Sequence, residues 1–345
     1  MSNPFSLVFG QEPSNFVKAV AQNDEIIEIF NSEKPAYQAC VLTGVRGSGK
    51  TVSLSVIANK IRNKSDWLVV DLSSEQDLLH ALAAELSSRR DLLQIFKKAS
   101  ISVSVMGVLG LNISADSVIT DTAVILDHML ASLTEDGKRL LVTIDEITNN
   151  KSMREFISQF QIYIRKKYNI FLLMTGLYEN VYELQNQKAL TFFYRAPKYE
   201  MQPLSLPLIM KQYKEIFALD EIQAIKMAKV TMGYPFAFQL LGYLCYKNNA
   251  SYEDVLVEFD AYLEEYVYEK IWSELSEKDK QVALALANSE SSKIESIRKI
   301  AGIDSNLFNV YRKRLMKKGI VKAPNYGCLK FTLPRFKDFV IRSMM

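Results

Sequence analysis

The stretch VLTGVRGSGKTVSL, residues 41–54, decides the fold. An apolar run ends at Gly44, four residues follow, and Gly49, Lys50 and Thr51 complete the pattern G-x-x-x-x-G-K-[ST]. Glycines let the main chain curl so that successive N–H groups face an anion, and the helix that follows adds the positive end of its dipole. The pattern therefore predicts a phosphate-binding loop between a strand and a helix. A plain glycine-rich turn is the alternative, but such a turn does not need Lys-Thr at the helix start.

Each part of this loop has an expected role towards ATP or ADP with Mg²⁺, the predicted cofactor. Lys50 reaches the β- and γ-phosphates, and the Thr51 hydroxyl holds the Mg²⁺ ion. The residues expected to bind the nucleotide are Gly44, Val45, Arg46, Gly47, Ser48, Gly49, Lys50, Thr51 and Val52.

Short apolar runs alternate with helical patterns over the first 205 residues. The first four runs are apolar throughout, as in parallel strands that helices cover on both faces, so the order predicts a doubly wound α/β domain. The expected strands are QACVLT (38–43), WLVVDL (67–72), RLLVTID (139–145), IFLLMT (170–175) and YEMQPL (199–204). The expected helices are 52–64, 75–87 with its cap within 73–76, 121–133 and 153–168.

The third apolar run ends in two adjacent carboxylates, Asp145 and Glu146. A carboxylate is costly to bury unless it is paired or bound to a metal. Beside a phosphate loop, Asp145 would orient the Mg²⁺ ion, and Glu146 would accept a proton from the attacking water. The pair then indicates hydrolysis as well as binding. The alternative is that the two residues only cap the next helix.

Two further residues are candidates for contact with the γ-phosphate. Thr175 ends the fourth run, where a polar side chain can meet the γ-phosphate or the attacking water, and a strand-end cap is the alternative. Arg195 stands among aromatic residues before the fifth run. It is predicted either to contact the γ-phosphate, within one chain or across two, or to form an ordinary surface ion pair.

These residues resemble the AAA+ and STAND class of P-loop ATPases, in the branch that includes origin-recognition initiators. GVRGSGKT is similar to their Walker A motif, LLVTIDE to Walker B with the additional glutamate, and MTGL to the strand-four sensor segment. FFYRAPKYEMQPLS resembles the arginine-containing link into the fifth strand. GYP resembles the lid motif whose proline, here Pro235, lies near the adenine. The resemblance implies a P-loop NTPase fold with sheet order 5-1-4-3-2, a helical lid and a C-terminal winged helix.

The predicted domains are a P-loop ATPase domain over 1–205, a helical lid over 206–274 and a winged helix-turn-helix domain over 275–345. Lid helices are expected at 208–217, 220–231, 235–247 and 252–275. The segment MGYPFAFQLLG lacks the arginine that many AAA+ lids carry as a second sensor, which favours the STAND-like variant.

The C-terminal module has the pattern of three helices and a two-stranded wing. The helices are expected at 275–288, 294–302 and 304–319, the turn of the wing at 325–327 and an amphipathic last helix at its end, packed through Phe336, Val340 and Ile341. The third helix is expected to bury Leu307, Val310 and Leu315 and to expose Asn306, Tyr311, Arg312, Arg314, Lys317 and Lys318. This basic helix fits a DNA major groove, although a solvated basic face or a protein-binding winged helix explains it as well.

Composition excludes several other classes of protein. Three widely spaced cysteines and two histidines argue against a disulfide framework and against a zinc site. The N-terminus lacks the features of a secretory signal, and ISVSVMGVLGL (101–111) is too short for a membrane span and alternates like a β-hairpin. A cytoplasmic location without a membrane partner is therefore predicted.

Two functions remain open from the sequence. The first is a slow ATPase switch whose nucleotide state repositions the winged helix on double-stranded DNA. The second is an ATP-dependent switch whose winged helix docks on a protein and never touches DNA. Assembly with further copies of the chain stays open in both, and a small-molecule kinase is disfavoured because no acceptor-binding motif is visible.

Overall fold

The computed structural model describes residues 3–8, 10, 21–98, 122–190 and 192–343. The hairpin predicted at 101–111 lies outside the described residues. The chain folds into two compact units. We call residues 21–43 and 53–200 the sheet unit, and residues 44–52 and 201–343, with the described residues of the N-terminus before residue 21, the helical unit.

The sheet unit is built on a five-stranded parallel sheet. Its strands are β1 (Ala39–Thr43), β2 (Trp67–Ser73), β3 (Arg139–Asp145), β4 (Ile170–Gly176) and β5 (Lys198–Glu200). The spatial order β2-β3-β4-β1-β5 is the predicted order 5-1-4-3-2 read from the other edge, so this prediction is confirmed. Leu42 pairs with Thr175, and Ser73 pairs with Asp145. The carboxyl ends of the parallel strands therefore lie at one edge of the sheet.

The first four strands are apolar because helices cover both faces of the sheet, and every residue of β1 and of β4 is buried. The helices in this part of the chain are α1 (Ala21–Asn31), α2 (Lys50–Arg62), α3 (Leu78–Ser88), α4 (Leu93–Lys98), α5 (Thr122–Glu135), α6 (Lys151–Arg165) and α7 (Tyr178–Gln185). Short 3-10 turns occupy Arg90–Leu92, Lys188–Leu190 and Phe193–Arg195.

Two expectations for this unit were wrong in detail. The cap of α3 is Asp77, whose carboxylate accepts the His80 N–H at 3.1 Å, and no residue of 73–76 caps the helix. The fifth strand spans Lys198–Glu200 instead of 199–204, because only these residues pair with β1.

The helical unit holds the remaining elements. Its helices are α8 (Leu206–Phe217), α9 (Glu221–Val230), α10 (Pro235–Asn248), α11 (Leu256–Leu263), α12 (Glu269–Ser273), α13 (Glu277–Asn288), α14 (Ile294–Ala301), α15 (Ser305–Lys317) and α16 (Phe336–Arg342). The single helix predicted over 252–275 is in fact α11 and α12, joined by the π-helix Glu264–Tyr268. Two short antiparallel strands follow α15, namely β6 (Val321–Lys322) and β7 (Lys330–Phe331).

One apolar core runs through the helical unit. Its largest fully buried side chains come from α8 to α16 and include Tyr213, Phe238, Phe259, Phe308 and Phe336. The N-terminal Phe5 joins this core, since its ring stacks on Phe217 with 5.7 Å between the centroids. The predicted burial of Phe336 and Val340 in the last helix is confirmed, and Ile341 packs against the same core.

The face that α15 buries differs from the predicted one. Leu307 and Val310 are 39% and 53% exposed, whereas Phe308 is 1% exposed and Leu315 fully buried. Phe308 and Leu315 are two turns apart and lie on one side of the helix, and the larger aromatic side chain occupies the core in place of leucine and valine. Tyr311, expected outside, packs against the same core.

Arg314, also on α15, is not a freely solvated cation. Its guanidinium pairs with Asp279 of α13 at 2.9 Å, and the Asp279 side chain is fully buried. Asp279 also takes part in the capping box of α13 with Ser276. Across the described ranges, no helix combines the length and the apolar character needed to cross a membrane.

Candidate functional site

The loop that follows β1 adopts a conformation that its glycines permit. Gly47 and Gly49 have φ angles of 69° and 85°, in the left-handed region that favours glycine. At Gly47 the space is also closed, because an added Cβ would lie 2.2 Å from the hydroxyl oxygen of Tyr234. The Ser48 N–H donates to the Val45 carbonyl at 3.3 Å and so points into the loop. The two glycines therefore serve a curled main chain, as the motif predicts.

The polar groups of this loop suit a phosphate. Lys50 begins α2 and is buried, and its Nζ donates to the carbonyls of Gly44 at 3.0 Å and Val45 at 2.8 Å. The Ser48 hydroxyl is buried and has no hydrogen-bond partner among the residues that the structure describes. A buried hydroxyl of this kind calls for a partner. Backbone N–H groups, an ammonium and two hydroxyls, with Thr51 as the second, make a donor set that fits an anion and its counter-ion.

The start of α10 lies against the loop. The Tyr234 hydroxyl donates to the Arg46 carbonyl, and the Phe236 N–H donates to the Gly47 carbonyl at 3.2 Å. Pro235, between them, comes within 3.6 Å of the position that a Cβ at Gly49 would take. The predicted lid proline and the predicted phosphate loop are therefore neighbours.

At the carboxyl ends of β3 and β4, three predicted residues share hydrogen bonds. Thr175 is fully buried, and its hydroxyl donates to the Asp145 carboxylate and accepts the Glu146 N–H at 3.0 Å. Glu146 is exposed and has a φ of 51°, a left-handed value that is uncommon for a residue with a side chain. Strained backbone of this kind clusters at functional sites. The structure thus joins Asp145, Glu146 and Thr175 into one network.

The helix-cap interpretation of the two carboxylates is wrong. The next helix, α6, begins at Lys151, and its cap is Asn150, whose side-chain oxygen accepts the Met153 N–H at 2.8 Å. Thr175 is likewise more than a strand-end cap, because its hydroxyl connects the ends of two strands.

Arg195 stands apart from this network. It ends the 3-10 turn Phe193–Arg195, three residues before β5, and its side chain is exposed. In the part of the chain that the structure describes, it makes no hydrogen bond to Asp145, Glu146 or Thr175. Its predicted contact with a γ-phosphate stays a prediction.

Sequence reasoning missed three groups that touch the loop: the Tyr234 hydroxyl, the Arg46 guanidinium and the Glu274 carboxylate. Arg46 pairs with Glu274 at 3.1 Å. A tyrosine inside the GYP motif is a visible signal, since a phenol next to the lid proline is placed to reach the same loop. Nothing in the sequence around Glu274 distinguishes it from the other acidic residues nearby.

Comparisons with known proteins agree with this geometry. A search of curated proteins found no match. The chain is similar to the Walker-type ATPase paby2304 of Pyrococcus abyssi, with a TM-score of 0.64 and 15% identity over 93% of this chain and 95% of the other. It is also similar to the ORC2 protein of Aeropyrum pernix in its ADPNP-ADP complexes, with a TM-score of 0.56 and 11% identity over 94% of each chain. At such identities the likeness shows a shared fold.

Two family models match the sequence. A Domain of unknown function (DUF8462) matches residues 265–340, which run from the π-helix to α16. The AAA domain matches residues 36–210, just over half of the chain, from the residues before β1 into α8. This match spans the curled loop, the joined carboxylates at the end of β3 and the whole parallel sheet, and the chain accordingly belongs to the AAA domain family.

Proposed function

We propose that this chain is an ATP-binding switch that hydrolyses ATP slowly and whose nucleotide state repositions a C-terminal winged helix on DNA. The curled loop carries the proposal: two left-handed glycines between β1 and the Lys50-Thr51 start of α2, in a chain of the AAA domain family. The N–H groups of the loop bind the phosphates, and the lysine ammonium exchanges its loop carbonyls for the β- and γ-phosphates. The ADPNP-ADP complexes of the similar ORC2 protein support an adenine nucleotide.

Hydrolysis is assigned to the network at the ends of β3 and β4. When bound, Mg²⁺ offsets the negative charge of the phosphates, and its proposed ligands are Thr51 and Asp145. Thr175 holds the Asp145 carboxylate by a hydrogen bond and fixes the turn at Glu146. The exposed Glu146 carboxylate accepts a proton from the attacking water. Arg195 is proposed to contact the γ-phosphate, from its own chain or from a neighbouring copy.

The lid and the winged helix complete the switch. We propose a lid over 206–274, with Pro235 near the adenine, and a winged helix over 275–345. The support is an arrangement of three helices, α13 to α15, followed by an antiparallel strand pair whose connecting turn exposes Tyr326. Exposed lysines on α15 and on both strands, Lys313, Lys322 and Lys330, supply charge for DNA phosphates.

One observation favours the alternative, an ATP-dependent switch that binds a protein. The exposed side of α15 presents Leu307 and Val310, and Met316 near its end is exposed as well. Apolar side chains on an otherwise basic helix suit a protein surface better than a row of phosphates. We keep DNA as the first proposal because lysines flank this apolar pair on the helix and on the strand pair.

The test is ATP hydrolysis by the full chain, measured with and without duplex DNA, together with a mobility shift over a salt series. We expect slow phosphate release, no phosphorylated acceptor, and a shift that weakens steeply as salt rises. Failure to bind ATP would refute the switch itself. Binding and hydrolysis without any shift at low salt, in either nucleotide state, would leave the protein-binding alternative. The mass of the particle in each state decides whether copies of the chain assemble.

A further inference from the structure

Later parts of the helical unit hold Arg46, inside the curled loop, at two points. Its backbone carbonyl accepts a hydrogen bond from the Tyr234 hydroxyl. Its guanidinium pairs with Glu274, with 3.1 Å between Nη2 and Oε1. Tyr234 directly precedes α10, and Glu274 directly follows α12. The loop is therefore attached to two places in the chain about 190 and 230 residues further on.

The contacts from the start of α10 set the direction of the loop's peptide groups. Tyr234 and Phe236 donate to the carbonyls of Arg46 and Gly47 respectively. The C=O of a trans peptide and the following N–H point in opposite directions, so the N–H groups of Gly47 and Ser48 point away from α10. The Ser48 N–H indeed reaches inward, to the Val45 carbonyl. N–H groups turned into such a loop are the groups that bind an anion.

The Tyr234 hydroxyl is fixed in place and stays a donor. Its side chain is buried, and burial raises the pKa of the phenol, so the hydroxyl keeps its proton at any pH at which the protein is folded. The hydroxyl oxygen occupies the space where a Cβ of residue 47 would lie. The phenol and the bare glycine therefore fit each other, and the motif glycine is required from outside the loop as well as by its φ angle.

Glu274 brings the C-terminal module into the same set of contacts. It pairs with Lys270 at 3.5 Å as well as with Arg46, and two residues later Ser276 caps α13. The carboxylate thus stands at the junction between the lid helices and the first helix of the C-terminal module. The pair with Arg46 is about one-third exposed on both sides, so its contribution is modest and adjustable.

We propose that Tyr234 and Glu274 are positioning residues that fix the curled loop through Arg46, so that nucleotide affinity depends on where the C-terminal module begins. The inference rests on the proposed function, because it requires that nucleotide binds to this loop. A partner that moves the start of α13 and separates Glu274 from Arg46 weakens nucleotide binding. By linkage, bound nucleotide weakens that partner by the same factor.

Two variants test the proposal, each with a matched control. Tyr234→Phe removes only the hydroxyl, and Glu274→Gln removes only the charge. Tyr213→Phe is the first control, because that buried hydroxyl also donates to a backbone carbonyl, of Phe238 at 2.7 Å, away from the loop. Glu277→Gln is the second control, since it neutralises an exposed carboxylate that pairs only with Lys280. The readouts are the Kd for a fluorescent ADP analogue and the hydrogen exchange of peptides covering residues 44–52.

We expect Tyr234→Phe to weaken ADP binding roughly 2- to 10-fold and Glu274→Gln roughly 2- to 5-fold, with faster exchange in the loop and no change in either control. If the unaltered protein binds ADP and both variants bind as tightly as their controls, the inference is overturned while the proposed function stands. If the unaltered protein binds no nucleotide, the proposed function fails first. Should Tyr234→Phe not fold, the surface variant Glu274→Gln decides the question alone.

Discussion

Replacing Thr175 by valine tests whether its hydroxyl organises the two carboxylates at the end of β3. Valine keeps the β-branched shape at a fully buried position and removes two hydrogen bonds, one donated to Asp145 and one accepted from Glu146. A lost hydrogen bond costs about 0.5–1.5 kcal/mol, and a buried donor left unpaired costs about 1–3 kcal/mol. Water reaches the half-buried Asp145 carboxylate, so we expect the free energy of unfolding to fall by about 2 kcal/mol.

The same change should reduce hydrolysis more than binding. Glu146 adopts its left-handed φ of 51° while its N–H is held by the Thr175 hydroxyl, and a left-handed residue with a side chain costs of order 1–3 kcal/mol. Without that bond the turn can relax and displace the carboxylate. Because a displacement of about 1 Å can cost two orders of magnitude in rate, we expect kcat to fall about 10- to 100-fold with ATP affinity nearly unchanged.

The assay combines urea unfolding with single-turnover ATP hydrolysis. Thr143→Val is the matched control: that threonine is also buried, lies in β3 and donates to a strand carboxylate, Asp71, at 2.5 Å, but two residues before the strand end. Thr175→Ser keeps the hydroxyl and should retain most of the rate. If Thr175→Val hydrolyses ATP as fast as Thr143→Val, the hydroxyl has only a structural role and the assignment is refuted.

Three further predictions concern single side chains. Lys50→Ala should abolish ATP binding in a filter or fluorescence assay, whereas Lys60→Ala, further along the same helix and paired with Asp24 at the surface, should not; unchanged binding in Lys50→Ala would disprove the loop assignment. Glu146→Gln should bind ATP normally and release phosphate at least about 100-fold more slowly, and a rate near that of the unaltered chain would exclude it as the base. Arg314→Ala should lower stability to urea by about 1–3 kcal/mol, because the carboxylate of Asp279 stays buried without its cation; a loss of DNA binding with full stability would show the opposite role.

The sheet could be predicted from sequence because its strands carry a one-dimensional signal. An apolar run such as 170–175, buried on both faces, has few alternatives in a chain with helices between the runs. The curled loop was equally visible, since its glycines and its lysine are needed at fixed spacing for one purpose. The network of Asp145 and Thr175 could be expected only as two neighbours at one sheet edge, because the hydrogen bonds depend on the register of β3 and β4.

Other features are set by tertiary contacts that spacing does not encode. Both 307/310/315 and 308/311/315 fit a helical period on α15, and the choice depends on which face meets α13. The large aromatic Phe308 won the core position. Glu274 could not be identified at all, because its partner Arg46 is remote in sequence and many acidic residues surround it.

The π-helix Glu264–Tyr268 makes the length of its connection a functional quantity. A wider turn accommodates one more residue than an α-helical turn, so removing a single residue there would let α11 run into α12 without interruption. Everything after the deletion would then rotate by about 100° around the helix axis and advance by about 1.5 Å. Glu274 would leave the side of the helix that faces Arg46, so a shortened chain could keep its packed core and still lose the link to the loop.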